Sequence, residues 1–141
     1  MRDFSILITD WRSDRLRLSQ IRRTVFIEEQ GVPEELEWDA EDACATHLLA
    51  VDGELAIGCA RLLPDGHIGR MAVLHPWRCF GVGRALLKTA LEVAQAEGHN
   101  IVRLSAQTHA AGFYARHGFV AESDEYLEAG IPHLAMKISL N

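Results

Sequence analysis

The sequence predicts a single mixed α/β (α+β) domain spanning residues 1–141. Three observations carry that expectation: strand-like runs near both ends, a meander with tight turns between residues 46 and 73, and one long amphipathic helix followed at once by another strand. With 48% apolar residues over 141 positions, one core can bury enough surface to fold without a disulfide or metal staple. No repeat, low-complexity tract or linker divides the chain.

Phe4-Ser5-Ile6-Leu7-Ile8-Thr9 reads as a first strand. Asp10 or Ser13 can cap the helix after it, whose apolar stripe runs Leu18, Ile21, Val25 until Gly31 and Pro33 end it. Beyond an acidic loop, Thr46 to Val51 and Glu54 to Leu62 form a hairpin joined by Asp52-Gly53. Pro64-Asp65-Gly66 makes the next turn, and His67 to Val73 completes the meander before Pro76. The chain then passes through Arg78-Cys79-Phe80-Gly81-Val82-Gly83 into the long helix. There Leu86, Ala90, Val93 and Leu87, Leu91, Ala94 make a broad apolar face, and Gly98 stops it. Asn100 to Ser105 is again a strand, so His67 to Ser105 forms one crossover, expected to be parallel and right-handed. A short helix, Thr108 to His117, closes at Gly118. The last strand-like pieces, Phe119 to Glu125 and His133 to Leu140, flank a turn on Gly130-Ile131-Pro132.

Twenty acidic and 14 basic residues give a net charge of −6, which argues against nucleic acid or an anionic membrane as general partners. Met1 to Asp10 holds no apolar stretch long enough for a leader or a span. Cys44, Cys59 and Cys79 form no C-x-x-C pair and are odd in number, so the expectation is a reduced, cytoplasmic protein. The acidity is local. Glu28 to Asp42 holds eight acids and no Lys or Arg, whereas the remaining residues carry 12 acids against 14 bases. Such a segment is either solvated surface or a source of potential that draws a cationic acceptor. His67, His75, His99, His109 and His117 share no ligand spacing with nearby acids, and no metal site is expected.

Chemistry concentrates at Arg78 to Ala85. Gly81 and Gly83 let the backbone approach a ligand, and the N–H groups at the start of the long helix form an anion site, with Arg78 and Arg84 in reach to add charge-assisted hydrogen bonds. A Walker loop is excluded because Arg84-Ala85 follow Gly83. A dinucleotide fingerprint is disfavoured by Leu86 where a third small residue belongs and by Leu104-Ser105 where an acid belongs.

This R-x-x-G-x-G after a meander strand resembles the acetyl-coenzyme A signature of the GNAT superfamily of N-acetyltransferases. Phe113-Tyr114-Ala115-Arg116-His117-Gly118-Phe119 is similar to the family's F-Y-x-x-x-G-F segment. Arg22-x-x-Val25-Phe26-x-x-Glu29-Gln30-x-Val32-Pro33, then Glu35, Glu37, Asp39, Asp42 and His47, and finally Gly130-Ile131-Pro132-His133, resemble a branch of small bacterial members. The resemblance implies a mixed, mostly antiparallel sheet flanked by helices, in which a central pair of parallel strands splays apart around the pantetheine arm.

It further implies a donor-binding set of Met71, Val73, Arg78, Gly81, Val82, Gly83 and Arg84, with acetyl-coenzyme A as co-substrate and a small-molecule amine as acceptor. Tyr114 takes the position that assists departure of the thiolate; on its residue types alone, Phe113-Tyr114 reads first as an aromatic core pair. A phenol near 10 donating fully to a thiolate near 8.5 runs uphill by about 2 kcal/mol, so hydrogen bonding describes the role better than proton transfer. The attacking amine must lose a proton. Family members often carry a Glu for this where Gly69 stands here, leaving Glu28, Glu29 and His133 as candidates for base or acceptor contact. A catalytically weak coenzyme A-binding or regulatory module is the alternative reading. Terminal strands of such folds can pair between protomers, so a homodimer is open.

Overall fold

The computed structural model describes residues 3–140, so Met1 and Arg2 of the N-terminal reading lie outside it. Among the described residues eight strands form one sheet in the order β1 (Ser5–Thr9), β2 (Thr46–Asp52), β3 (Leu55–Leu62), β4 (His67–Val73), β5 (Ile101–Gln107), β8 (Ile131–Ser139), β6 (Val120–Ala121). A short β7 (Tyr126–Glu128) also pairs with β8. Every pairing is antiparallel except that of β4 with β5, as the crossover through α3 (Val82–Ala96) leads one to expect.

The central strands β2 and β3 are buried on both sides, which is why β2 reads as a continuous apolar run rather than an alternation, whereas β5 alternates buried and exposed positions. Leu48 and Ala50 of β2 face α3, packing with Leu86, Leu87 and Ala90. Leu49 and Val51 face the other way, against Leu18 and Ile21 of α1 (Trp11–Arg22) and against Val25 and Phe26 beyond it. Asp10 caps α1 by accepting from the Ser13 amide at 2.8 Å.

The structure departs from the sequence reading in local detail. The first helix does not run evenly to Gly31: past α1 it widens into a π-helical segment, Arg23–Glu29, whose Phe26 lines a cavity. The acidic loop contains a helical turn, α2 (Glu34–Glu37), and a 3-10 turn, Ala40–Cys44. Asp52 pairs with Leu55, so the hairpin turn is Gly53-Glu54 rather than Asp52-Gly53. The helix expected over Thr108 to His117 is a 3-10 turn followed by α4 (Ala111–Arg116). The turn placed on Gly130-Ile131-Pro132 lies on Ala129-Gly130, both with positive φ (53° and 77°), the geometry of a two-residue hairpin. Ile131 and Pro132 therefore belong to β8.

Candidate active site

The described residues of β4 and β5 pair at two positions, His67 with Arg103 and Ile68 with Leu104. Beyond them a bulge interrupts β4. Between Gly69, which pairs with Arg61, and Ala72, which pairs with Cys59, the chain carries Arg70 and Met71 opposite Ala60 alone. Arg70 takes φ 50°, and the bulge bends β4 as the two strands part. A cavity of about 660 Å³ lies in the gap. Of the residues singled out from sequence, Met71, Tyr114 and His133 line it together. Gly69 lines it too, and a Cβ built there would meet nothing within 4 Å, so the position often filled by a Glu is open space.

Tyr114 comes from α4, with its hydroxyl 3.7 Å from the Met71 sulfur across the gap. Its ring packs edge-to-face on Phe113 and Phe119, as the core reading of this aromatic pair expects, while the hydroxyl faces the cavity. Burial pushes the phenol up to about 12. Against a thiol near 8.5, full proton donation from such a phenol would be uphill by about 5 kcal/mol, whereas donating a hydrogen bond carries no such cost.

His133 on β8 also lines the cavity and is only 6% exposed. Its Nδ1–H donates to the Ile131 carbonyl at 2.6 Å, which leaves Nε2 3.6 Å from the Glu128 carboxylate. Ser105 contacts both the Tyr126 hydroxyl and Glu128, and the Tyr126 ring stacks on His133. Sequence reasoning missed Ser105, Tyr126 and Glu128. They converge only through strand register, in which His133 lies opposite Gln107 on one side and Tyr126 on the other.

The remaining donor-set residues gather at the start of α3. Gly81 caps that helix with φ 84°, a conformation a side chain strains, and Cys79 before it also has positive φ (70°). Val82 is buried in the core, so its backbone alone can face a ligand, whereas Arg84 is exposed. Gly83 lies under the Phe113 ring beside Val73. The fit to an anionic group rests on this left-handed glycine at the N-terminus of a 15-residue helix.

Glu29 stands apart from the cavity lining. Both its oxygens accept from Arg78, at 2.7 and 2.8 Å, and the guanidinium holds its carboxyl below the ordinary range. A carboxylate so engaged is a weak base. Four more acids of this segment are paired with arginines, while Glu28, Glu35 and Glu41 stand exposed. Glu37 binds Arg22 and Arg70, Asp42 binds Arg22 and Arg61, Asp39 binds Arg61 and Arg70, and Glu34 binds Arg23. Arg22, Glu37 and Asp42 are almost wholly buried, and burial pushes the Glu37 carboxyl up against the opposing pull of its arginines. A strong draw on a cationic acceptor no longer follows from the count of acids.

A cavity in the cleft of two diverging parallel strands, with a tyrosine hydroxyl on one wall and an anion-ready helix start beside it, is the build of an acyl-transfer enzyme. The acetyltransferase (GNAT) domain family matches residues 14–140, and the chain belongs to that family. The N-acetyltransferase YjcF of Bacillus subtilis is 42% identical over 121 residues, covering 82% of this chain and 86% of that protein. The ElaA protein of Escherichia coli is 32% identical over 127 residues, covering 84% of this chain and 83% of ElaA. Among solved structures, an acyl-CoA N-acyltransferase from Pseudomonas aeruginosa superposes with a TM-score of 0.87 at 31% identity, covering 97% of this chain and all (100%) of that one. Among the described residues no helix is long and apolar enough to cross a membrane.

Proposed function

We propose that the protein transfers acetyl from acetyl-coenzyme A to a primary amine of a small molecule, by direct attack within the cavity between β4 and β5. The observation that carries this reading is the parting of those strands after Ile68 and Leu104, which opens the gap onto Met71, Tyr114 and His133. An extended, amide-rich arm can pair with the Met71 to Val73 edge, and its phosphates can rest on the backbone of Gly81 to Arg84. The solved Pseudomonas acyl-CoA N-acyltransferase supports a coenzyme A thioester as donor.

In this reading His133 accepts the proton of the amine at Nε2, and the backbone hydrogen bond at Nδ1 keeps that nitrogen free to do so. The carbonyl carbon forms its bond to nitrogen as the bond to sulfur breaks, and the Tyr114 hydroxyl donates a hydrogen bond to the departing thiolate.

A screen of primary amines with acetyl-coenzyme A, following thiol release, identifies the acceptor. On that acceptor, Tyr114→Phe is expected to lower turnover about 100-fold while leaving coenzyme A affinity within about twofold. Unchanged turnover would remove Tyr114 from the reaction. Coenzyme binding without turnover on any amine would favour a regulatory module.

A further inference from the structure

Arg78 is engaged on three nitrogens. Its Nε donates to the Val73 carbonyl at 2.9 Å, and its two terminal nitrogens donate to the two oxygens of Glu29. One side chain thus ties the end of β4 and the loop leading into α3 to the last residue of the π-helical segment. The next residue, Gln30, accepts from Gln107 Nε2 at 2.8 Å, and both glutamines line the cavity. The tip of the π-helical segment is therefore fastened on both sides of the gap, to the donor loop by Glu29 and to β5 by Gln30.

The two fastenings differ in chemistry. An amide pair offers nothing specific to an anion, whereas the Arg78 fork is held by a carboxylate in the bidentate arrangement that a phosphate also adopts. The pair is open to exchange, since its side chains are 35% and 40% exposed, in contrast to the buried Arg22 that pairs with Glu37 and Asp42. Glu29 is an anion across the neutral range, as any unburied glutamate is, and Arg78 lowers its pKa further. Any dianionic group brought to the start of α3 meets an arginine already occupied by a resident anion.

Building on the acetyl-coenzyme A reading, we propose that Glu29 is a determinant of donor affinity: it occupies the Arg78 fork in the free protein and is exchanged for the donor's phosphates. A thioester without phosphates has no means of displacing it. Exchange also frees the π-helical tip from the donor loop, leaving its tie to Gln107 in place.

Calorimetric titration of coenzyme A tests this in the full chain. Glu29→Gln keeps the shape of the side chain, removes the competitor, and is expected to tighten coenzyme A binding about threefold to fivefold, the worth of one exposed ion pair. Glu28→Gln removes the same charge from the exposed neighbouring residue and is expected to leave affinity within about 1.5-fold. In an Arg78→Gln background, Glu29→Gln is expected to gain nothing, because the contested group is gone. Three results would each overturn the proposal: unchanged or weaker binding by Glu29→Gln, an equal gain from Glu28→Gln, or a gain that survives Arg78→Gln. If wild-type protein binds no coenzyme A at millimolar concentration, the donor reading falls and takes this one with it. If wild type binds and Glu29→Gln does not differ from it, this proposal alone falls.

Discussion

His47 lies at the junction of the core and the ionic frame, 1% exposed, with its Nε2–H donating to the Asp42 carbonyl at 3.0 Å and its ring 5.4 Å from that of Trp11. Desolvation is the largest influence on it and lowers its pKa; nearby Arg22 and Arg61 act in the same direction, and Asp42 opposes them. In the unfolded chain the imidazole protonates near 6.5, whereas in the fold it stays neutral to lower pH. The unfolded state therefore takes up the proton first, and stability falls as pH drops below about 6.5, until the folded-state pKa is reached. His47→Gln keeps a donor for the Asp42 carbonyl and has no proton to take up. Urea unfolding midpoints measured between pH 7.5 and 5 are expected to fall less steeply for the variant than for wild type, and parallel slopes would remove His47 as the titrating group. Residues of this kind are hard to assign from sequence, where His47 reads as the start of a strand and carries no sign that Asp42 and two arginines enclose it.

Between elements, β3 packs closely against α3 at Gly58. A Cβ at Gly58 would stand 3.1 Å from the Ala72 carbonyl, 3.1 Å from Val82 Cγ1 and 3.2 Å from Leu86 Cδ1. The two side chains can give a little; the β4 carbonyl is part of the ladder and cannot. Gly58→Ala is expected to destabilise the fold by about 1–3 kcal/mol, read from the urea midpoint, and neutrality would show that α3 is free to lift from the sheet. Because Gly81 to Arg84 lead off the same helix, that lift also bears on the loop proposed to hold the donor. The elements themselves were largely legible. The Leu86, Leu87, Ala90, Ala94 stripe, the Pro64-Asp65-Gly66 turn and the crossover all follow from spacing. What spacing does not encode is where a ladder stops. The parting of β4 from β5, the Arg70-Met71 bulge and the meeting of Ser105 with Glu128 and His133 depend on register between distant segments, so the cavity was visible in sequence only through family resemblance.

At the scale of the whole molecule, the net charge of −6 conceals a pairing in space of groups well separated along the chain. The segment from Glu28 to Asp42 holds no basic residue, yet Arg22, Arg23, Arg61, Arg70 and Arg78 all reach it from other elements. Position decides what each contact is worth. Arg23 and Glu34 are 44% and 54% exposed, and an exposed pair contributes about 0.2–1 kcal/mol. Arg22 is 1% exposed, bonded to Glu37 at 2.8 Å and Asp42 at 2.7 Å, with its guanidinium 5.4 and 5.1 Å from the ring centres of Trp11 and Trp38. Arg22→Met would leave two buried carboxylates short of their shared cation, for an expected loss of about 3–5 kcal/mol, a large part of the roughly 5–15 kcal/mol that holds a domain folded. Arg23→Met, one position along, is expected to lose less than about 1 kcal/mol. Denaturant unfolding of the two variants side by side checks the contrast, and equal losses would mean that the acidic segment is held by its charge as a whole rather than by the buried arginine at its centre.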